Sequence, residues 1–132
     1  MGEDVSTESL ADVVAGYGFA YLVTVTADGG PHAVATAPRV VGDAVVVDEV
    51  GSRSRTNATE RPKVSLLYPP SDPDGHSLIV DGVASVADAG VTIAPTRAVR
   101  HRPHERPGGG VSASGCGSDC LPVDLPASAP SV

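Results

Sequence analysis

The sequence predicts a small α+β barrel, mainly β, with six strands and two short helices. Three observations carry this. Short runs rich in Val, Leu, Ile and Tyr follow one another, separated by Gly, Asp and Pro turn signals. An amphipathic stretch precedes the first run, and a polar, helix-compatible stretch interrupts the series after the third. The chain has 132 residues, a net charge of −7 and 41% hydrophobic residues, which fits one globular domain. Aromatics are only 3%, namely Tyr17, Phe19, Tyr21 and Tyr68, so the core is built from Val, Ala, Leu and Ile. A core of small aliphatic side chains at this length is marginal for a lone monomer, and self-association is expected.

In chain order, Leu10, Val13, Val14 and Tyr17 recur at helical spacing behind Ser6 as N-cap, with Gly18 as the C-terminal stop, giving a helix over residues 6–17. Residues 19–26 form a strand, Asp28-Gly29-Gly30 a turn, and residues 32–41 the returning strand of a hairpin. Gly42-Asp43 turns the chain into a third strand over 44–50, so the three form a meander. Residues 52–61 form a short polar helix that ends before Pro62. Strands follow over 64–68, stopped by Pro69-Pro70, over 77–86, and over 91–99. Gly82 inside the fifth strand predicts a bulge or a close backbone approach, and Pro95 confines the sixth to an edge or a bulge.

Composition divides the chain into a barrel domain, residues 1–103, and a Gly/Pro/Ser-rich tail, residues 104–132. A piece of that tail, Cys120-Leu121-Pro122-Val123, is apolar enough to add a strand to the barrel or to a partner subunit. The acidic balance and the lack of a Lys/Arg stripe argue against nucleic acid. Apolar runs of a few residues argue against a membrane span, and the acidic start Met1-Gly2-Glu3-Asp4 against a secretory signal, so the cytoplasm is the expected compartment. With Cys116 and Cys120 as the two cysteines, no disulfide framework is expected.

Chemistry concentrates in Ser52-Arg53-Ser54-Arg55-Thr56-Asn57, where a strand ends and a helix begins. Helix N-termini offer unpaired N–H groups and partial positive charge, so two arginines and three hydroxyls there suit a phosphate. The plainer reading is an ordinary Ser N-cap with solvent-facing arginines. A second cluster, His101, His104, Cys116 and Cys120, has ligand types that suit zinc or copper, although its spacing is looser than a zinc knuckle and a free tail is the expectation. His32 and His76 read as strand residues, with His76 a minor candidate for a substrate contact. Tyr68 reads as core, with stacking on a ligand as the alternative. Arg97, Arg100, Arg102 and Arg106 form a solvated basic face or an anion site.

The order of helix, strands, Ser52-Arg53 element, Arg61-Pro62-Lys63-Val64-Ser65-Leu66 and the strand carrying Val80-Asp81-Gly82 resembles the pyridoxamine 5′-phosphate oxidase-like split β-barrel family, over roughly residues 8–100. The strand Tyr21 to Thr26 leading into Asp28-Gly29-Gly30-Pro31-His32 belongs to the same pattern. The resemblance implies a homodimer with FMN, or in related branches a deazaflavin, in a groove between subunits; some related barrels bind haem. Carried over by position, Ser52 and Arg53 hold the cofactor phosphate, Thr56 replaces a second basic residue, and Arg55 compensates. Main-chain groups of Val34, Ala35, Thr36, Val47 and Asp48 face the isoalloxazine ring, Ser77 stands where the oxidase has a Gln, and Arg39 reaches the pyrimidine edge. The chain lacks Trp and the oxidase's Arg-containing ending, so pyridoxamine phosphate oxidation is not expected. The resemblance implies a flavin- or deazaflavin-dependent oxidoreductase for a small organic substrate, with no acid–base residue identified. The alternative is a non-catalytic barrel that binds haem, a metal or another small ligand.

Overall fold

A computed structural model describes residues 9–103 and 118–125. Its elements are helix α1 (Leu10–Val14), strands β1 (Ala20–Val25), β2 (Pro31–Thr36), β3 (Arg39–Val41) and β4 (Ala44–Val47), helix α2 (Ser52–Glu60), and strands β5 (Lys63–Tyr68), β6 (Ser77–Ala87), β7 (Gly90–Pro103) and β8 (Ser118–Val123). The fold class is mainly β with two short helices, as the sequence predicts, but the described sheet has eight strands rather than six and is not closed.

Helix α1 is shorter than predicted. Its cap is Ser9, whose Oγ accepts from the Asp12 N–H at 3.2 Å, and its last residue is Val14. Gly16 and Tyr17 bond back three residues, to Val13 and Val14, which tightens the chain out of the helix before Gly18 is reached. Ser6 lies outside the described residues.

The predicted run 32–41 divides at Ala37-Pro38, and this changes the topology. Strand β2 pairs antiparallel with β1 in the predicted hairpin, with Ala20 opposite Thr36 and Val25 opposite Pro31. Strand β3 instead pairs with β4, and the sheet order is β2-β1-β5-β6-β7-β4-β3. The predicted meander is therefore wrong: its second strand supplies both edges of the sheet. Pro38 has no N–H for a ladder, which is the physical reason for the break. Since Thr36 on one edge and Arg39 on the other are three residues apart, those edges stand within about 11 Å of each other. The sheet must curl until its ends nearly meet, without hydrogen bonds between them, which is a split barrel.

Both irregularities predicted in the long strands are present. Gly82 pairs with Pro95 while Asp81 pairs with Arg97, leaving Thr96 as the extra residue of a bulge. A Cβ at Gly82 would lie 2.5 Å from the Ala94 carbonyl oxygen and 2.6 Å from Ile93 Cγ2, so the strands cross too closely for a side chain. Strand β7 runs past the predicted Val99 to Pro103, and its C-terminal half pairs with β8 of the same chain, Ala98 opposite Val123 and His101 opposite Cys120.

Inside the curl sit Leu22, Val45, Val47, Leu66, Tyr68, Leu78, Val80 and Ile93, closed by Leu10 and Val13 of α1 and Ala58 of α2. Apart from Tyr68, these are the aliphatic residues from which the composition says the core must be made. No described helix is long and apolar enough to cross a membrane.

Candidate functional site

Helix α2 is polar on nearly every side, and what it buries is Ser54, Asn57 and Ala58. Apolar burial alone does not dock such a helix; hydrogen bonds do. Asn57 Nδ2 donates to Thr24 Oγ1 at 3.1 Å in the interior, Arg61 Nε donates to the Val25 carbonyl at 2.7 Å, and Arg55 Nη1 donates to the Val50 carbonyl. The entry is fixed from behind as well. Val50 N–H donates to the Ala89 carbonyl at 2.9 Å, and a Cβ at Gly90 would lie 2.5 Å from the Val47 oxygen and 2.7 Å from the Asp48 oxygen. The β6–β7 turn therefore packs backbone to backbone against the segment that leads into α2.

The cap of α2 is Gly51, in extended conformation and without a side-chain cap bond, so Ser52 is the first helical residue and not the Ser N-cap of the plainer reading. No side chain at the cap covers the first-turn N–H groups, which have no acceptor within the helix. Ser52, Arg53 and Thr56 are exposed around them, and Arg53 makes no hydrogen bond or ion pair among the described residues. Ser54 Oγ is buried beneath the same turn with no partner among the described residues. Arg55, by contrast, is half-buried and committed to Val50.

The other candidates lie around this entry to differing extents. Arg39, at the start of β3, grips Asp48 with Nε and Nη2, both at 2.8 Å. The pair raises the arginine pKa and lowers that of the aspartate, in each case first through the hydrogen bonds. Val47 is 1% exposed and points into the core, and its carbonyl faces Gly90. On β2, Val34 packs against the core, Ala35 is exposed, and Thr36 Oγ1 donates to the Ala20 carbonyl at 2.8 Å. Ser77 stands apart within the chain. It opens β6, whereas α2 is tied at the far end of that strand, where Ala84 N–H meets the Pro62 carbonyl at 2.8 Å.

Around Ser77 lies a different constellation. A cleft of about 370 Å³ is lined by Asp12, Tyr17, Pro70, Asp72, His76 and Arg100, among others. Tyr17 donates to the His76 carbonyl at 3.0 Å and meets the Tyr68 ring edge-on at 5.9 Å. Tyr68 is fully buried, as its core reading requires, and burial pushes its phenol up to about 12. Its hydroxyl has no partner among the described residues. Of the predicted basic run, Arg97 pairs with Asp81 at 3.3 Å and Arg102 donates to the Asp74 carbonyl at 3.1 Å; Arg106 is outside the described residues. His32 is half-buried on β2 opposite Thr24. His104 and Cys116 also lie outside, and no group of three or more metal-ligating side chains forms among the described residues.

Sequence reasoning missed the Asn57–Thr24 bond and the orphaned Ser54. A signal existed: in a helix of polar residues, Ser54, Asn57 and Ala58 fall three and four apart, and such a stripe must face the protein. It passed unread because the rule for finding buried faces looks for apolar side chains.

No protein-family model matches the chain. The protein Mb0449c of Mycobacterium bovis is 39% identical over 138 residues, covering 92% of this chain and 96% of its own length, and MT0457 of Mycobacterium tuberculosis matches to the same extent. Among solved structures, HupZ of Group A Streptococcus superposes with a TM-score of 0.58 at 16% identity over 69% of this chain and 90% of its own. An F420 reductase superposes at 0.54 with 16% identity over 68% and 96%. A heme binding protein from Mycobacterium smegmatis does so at 0.59 with 14% identity over 89% and 57%. At these identities the likeness concerns the fold, and it is the split barrel of the pyridoxamine 5′-phosphate oxidase-like kind. The chain belongs to the family of the mycobacterial proteins Mb0449c and MT0457, built on that split barrel.

Proposed function

We propose that this split barrel is a cytoplasmic, homodimeric oxidoreductase that uses FMN or a deazaflavin to reduce or oxidise a small organic molecule. The observation that carries the reading is the entry to α2: an open glycine cap, exposed Ser52, Arg53 and Thr56, and an unpartnered Ser54 hydroxyl, in a chain with net charge −7. That donor set fits a phosphate. First-turn N–H groups and the helix dipole favour an anion, and a guanidinium contact to phosphate adds roughly 1.5–3 kcal/mol. Arg53 carries the cationic role alone, because Arg55 is held by Val50.

Arg39 is the second anchor. Asp48 takes Nε and Nη2, which leaves Nη1 to donate to the polar edge of a planar ring. Val34, Ala35 and Thr36 form the neighbouring backbone, and Ser77, at the other end of β6, serves the groove from the second subunit. The bound flavin supplies the hydride chemistry, so the protein's part is binding, orientation and exclusion of water, and no acid–base side chain is demanded. The likeness in fold to an F420 reductase supports the deazaflavin branch, and that to a heme binding protein supports including haem in the test.

Absorbance spectra of the purified protein, alone and with FMN, a deazaflavin or haem added in turn, test the reading. A bound flavin-type spectrum that weakens by about 10- to 150-fold in affinity on Arg53→Ala is the expected result. Failure of FMN and deazaflavin to bind, or equal affinity in the variant, would overturn it.

A further inference from the structure

The cleft between α1, the loop over residues 69–76 and β7 holds an arginine on the core side of the sheet. Directly opposed residues of an antiparallel sheet share a face. Tyr68 lies opposite Leu78, and Leu78 opposite Arg100. Tyr68 and Leu78 are fully buried, and Ala98, two residues before Arg100 on the same face of β7, is buried as well. Arg100 therefore continues an interior row, where a charge is costly unless something meets it. It ends half-buried, lining the cleft of about 370 Å³.

The walls of this cleft are tied in place. Tyr17 donates to the His76 carbonyl at 3.0 Å, Ser71 Oγ to the Gly16 carbonyl at 3.4 Å, and Arg102 Nη1 to the Asp74 carbonyl at 3.1 Å, so the loop is held by the exit of α1 and by β7. Gly75 N–H closes the loop's own turn on the Asp72 carbonyl at 2.8 Å, and a Cβ at Gly75 would lie 3.2 Å from that oxygen and 3.2 Å from Pro70 Cβ. Burial raises the pKa of the Tyr17 phenol, and the Arg100 guanidinium pulls it back down, which puts the two groups within electrostatic reach of each other. Val13, Pro70 and the Tyr17 ring, backed edge-on by Tyr68, supply apolar surface. Asp12 and Asp72, both exposed, add two negative charges to the lining, and the Asp12 carboxylate makes no hydrogen bond or ion pair among the described residues.

We propose that this cleft binds a small zwitterion, its carboxylate held by Arg100, its ammonium by Asp12 and Asp72, and the short carbon chain between them lying against Val13, Tyr17 and Pro70. The guanidinium fork has five donors and suits a carboxylate. A dicarboxylate or a phosphate ester would bring negative charge to the two aspartates, and a polyamine would bring positive charge to Arg100, so the mixed lining selects against both. The volume lies at the low end of the roughly 300–1,000 Å³ typical of ligand pockets, which fits a molecule of a few heavy atoms. The inference goes beyond the proposed function and does not rest on its cofactor.

Three probes with the same four-carbon chain test it: γ-aminobutyrate, butyrate and butylamine, each titrated into the full chain without flavin. Binding is followed at the amide signals of Gly16 and Gly75, which line the cleft, in nitrogen–proton correlation spectra. The zwitterion is expected to shift both signals and to bind at least about tenfold more tightly than either singly charged probe. Arg100→Gln should weaken γ-aminobutyrate by about 10- to 150-fold. Asp12→Asn with Asp72→Asn should erase the advantage of γ-aminobutyrate over butyrate while leaving butyrate binding at least as tight. Both aspartates are exposed, so this pair is expected to fold and to be readable even where Arg100→Gln does not fold. Unmoved Gly16 and Gly75 signals at about 10 mM γ-aminobutyrate, butyrate bound as tightly as the zwitterion by the wild type, or an advantage that survives loss of both aspartates would each overturn the proposal. With no flavin present, any of these results leaves the cofactor reading where it stands.

Discussion

The two helices close the same barrel by opposite means. Helix α1 has five residues and is held by Leu10 and Val13, each 5% exposed and part of the core cluster. Helix α2 has nine residues and is held through Asn57, Arg55 and the Arg61 that follows it, each hydrogen-bonded to a fixed partner. Hydrophobic burial is non-directional and tolerates rotation of a helix about its axis. A hydrogen bond to one interior hydroxyl does not. The polar helix is therefore the one whose orientation is specified, and what that orientation presents is its open N-terminus with Arg53.

The contrast can be broken from either side, and the largest effect belongs to α1. Leu10→Ala removes buried side-chain volume and should lower unfolding free energy by about 2–5 kcal/mol in urea denaturation, while leaving flavin affinity of the folded protein unchanged. Arg53→Ala should do the reverse, weakening cofactor binding by roughly 1.5–3 kcal/mol in a calorimetric titration with the unfolding midpoint within error of wild type. Asn57→Ala sharpens the contrast by touching both properties. It leaves the Thr24 hydroxyl unpaired in the interior, so stability should fall by roughly 1–3 kcal/mol and cofactor affinity should fall with it, because the helix loses its bearing.

The last effect is seen in alkali. Burial raises the Tyr68 phenol to about 12, above the ordinary value of 10 that it has when unfolded. Between these values the unfolded chain has lost a proton that the folded protein keeps, so stability from Tyr68 is complete below pH 10 and declines as pH rises toward 12. Tyr68→Phe should flatten that decline in denaturation midpoints taken from pH 10 to about 12, the window set by the two values.

Much of this was legible in the sequence, for reasons that can be stated. The β1–β2 hairpin followed from Asp28-Gly29-Gly30, and the special positions of long strands from Gly82 and Pro95, because each depends on a local backbone property. The split of residues 32–41 was not read, although Pro38 stood in the middle of it. Whether a strand continues past a proline or changes partner is settled by distant strands, here β1 and β4. Strand β8 was a bare option among the tail residues, because pairing with β7 contributes what its own composition does not. At the candidate site, Arg53 was visible as charge at a helix start, but that Arg55 turns back to Val50 while Arg39 grips Asp48 depends on side-chain directions that spacing does not encode.

The central claim is that the entry to α2 reads a phosphate. FMN and riboflavin share one ring and differ by that group, so their relative affinity for wild type and Arg53→Ala is the most direct measurement. The account predicts that wild type prefers FMN by at least about tenfold and that Arg53→Ala loses most of the preference, with riboflavin bound equally by both proteins. Equal binding of FMN and riboflavin by the wild type, or a preference that survives in Arg53→Ala, would contradict it.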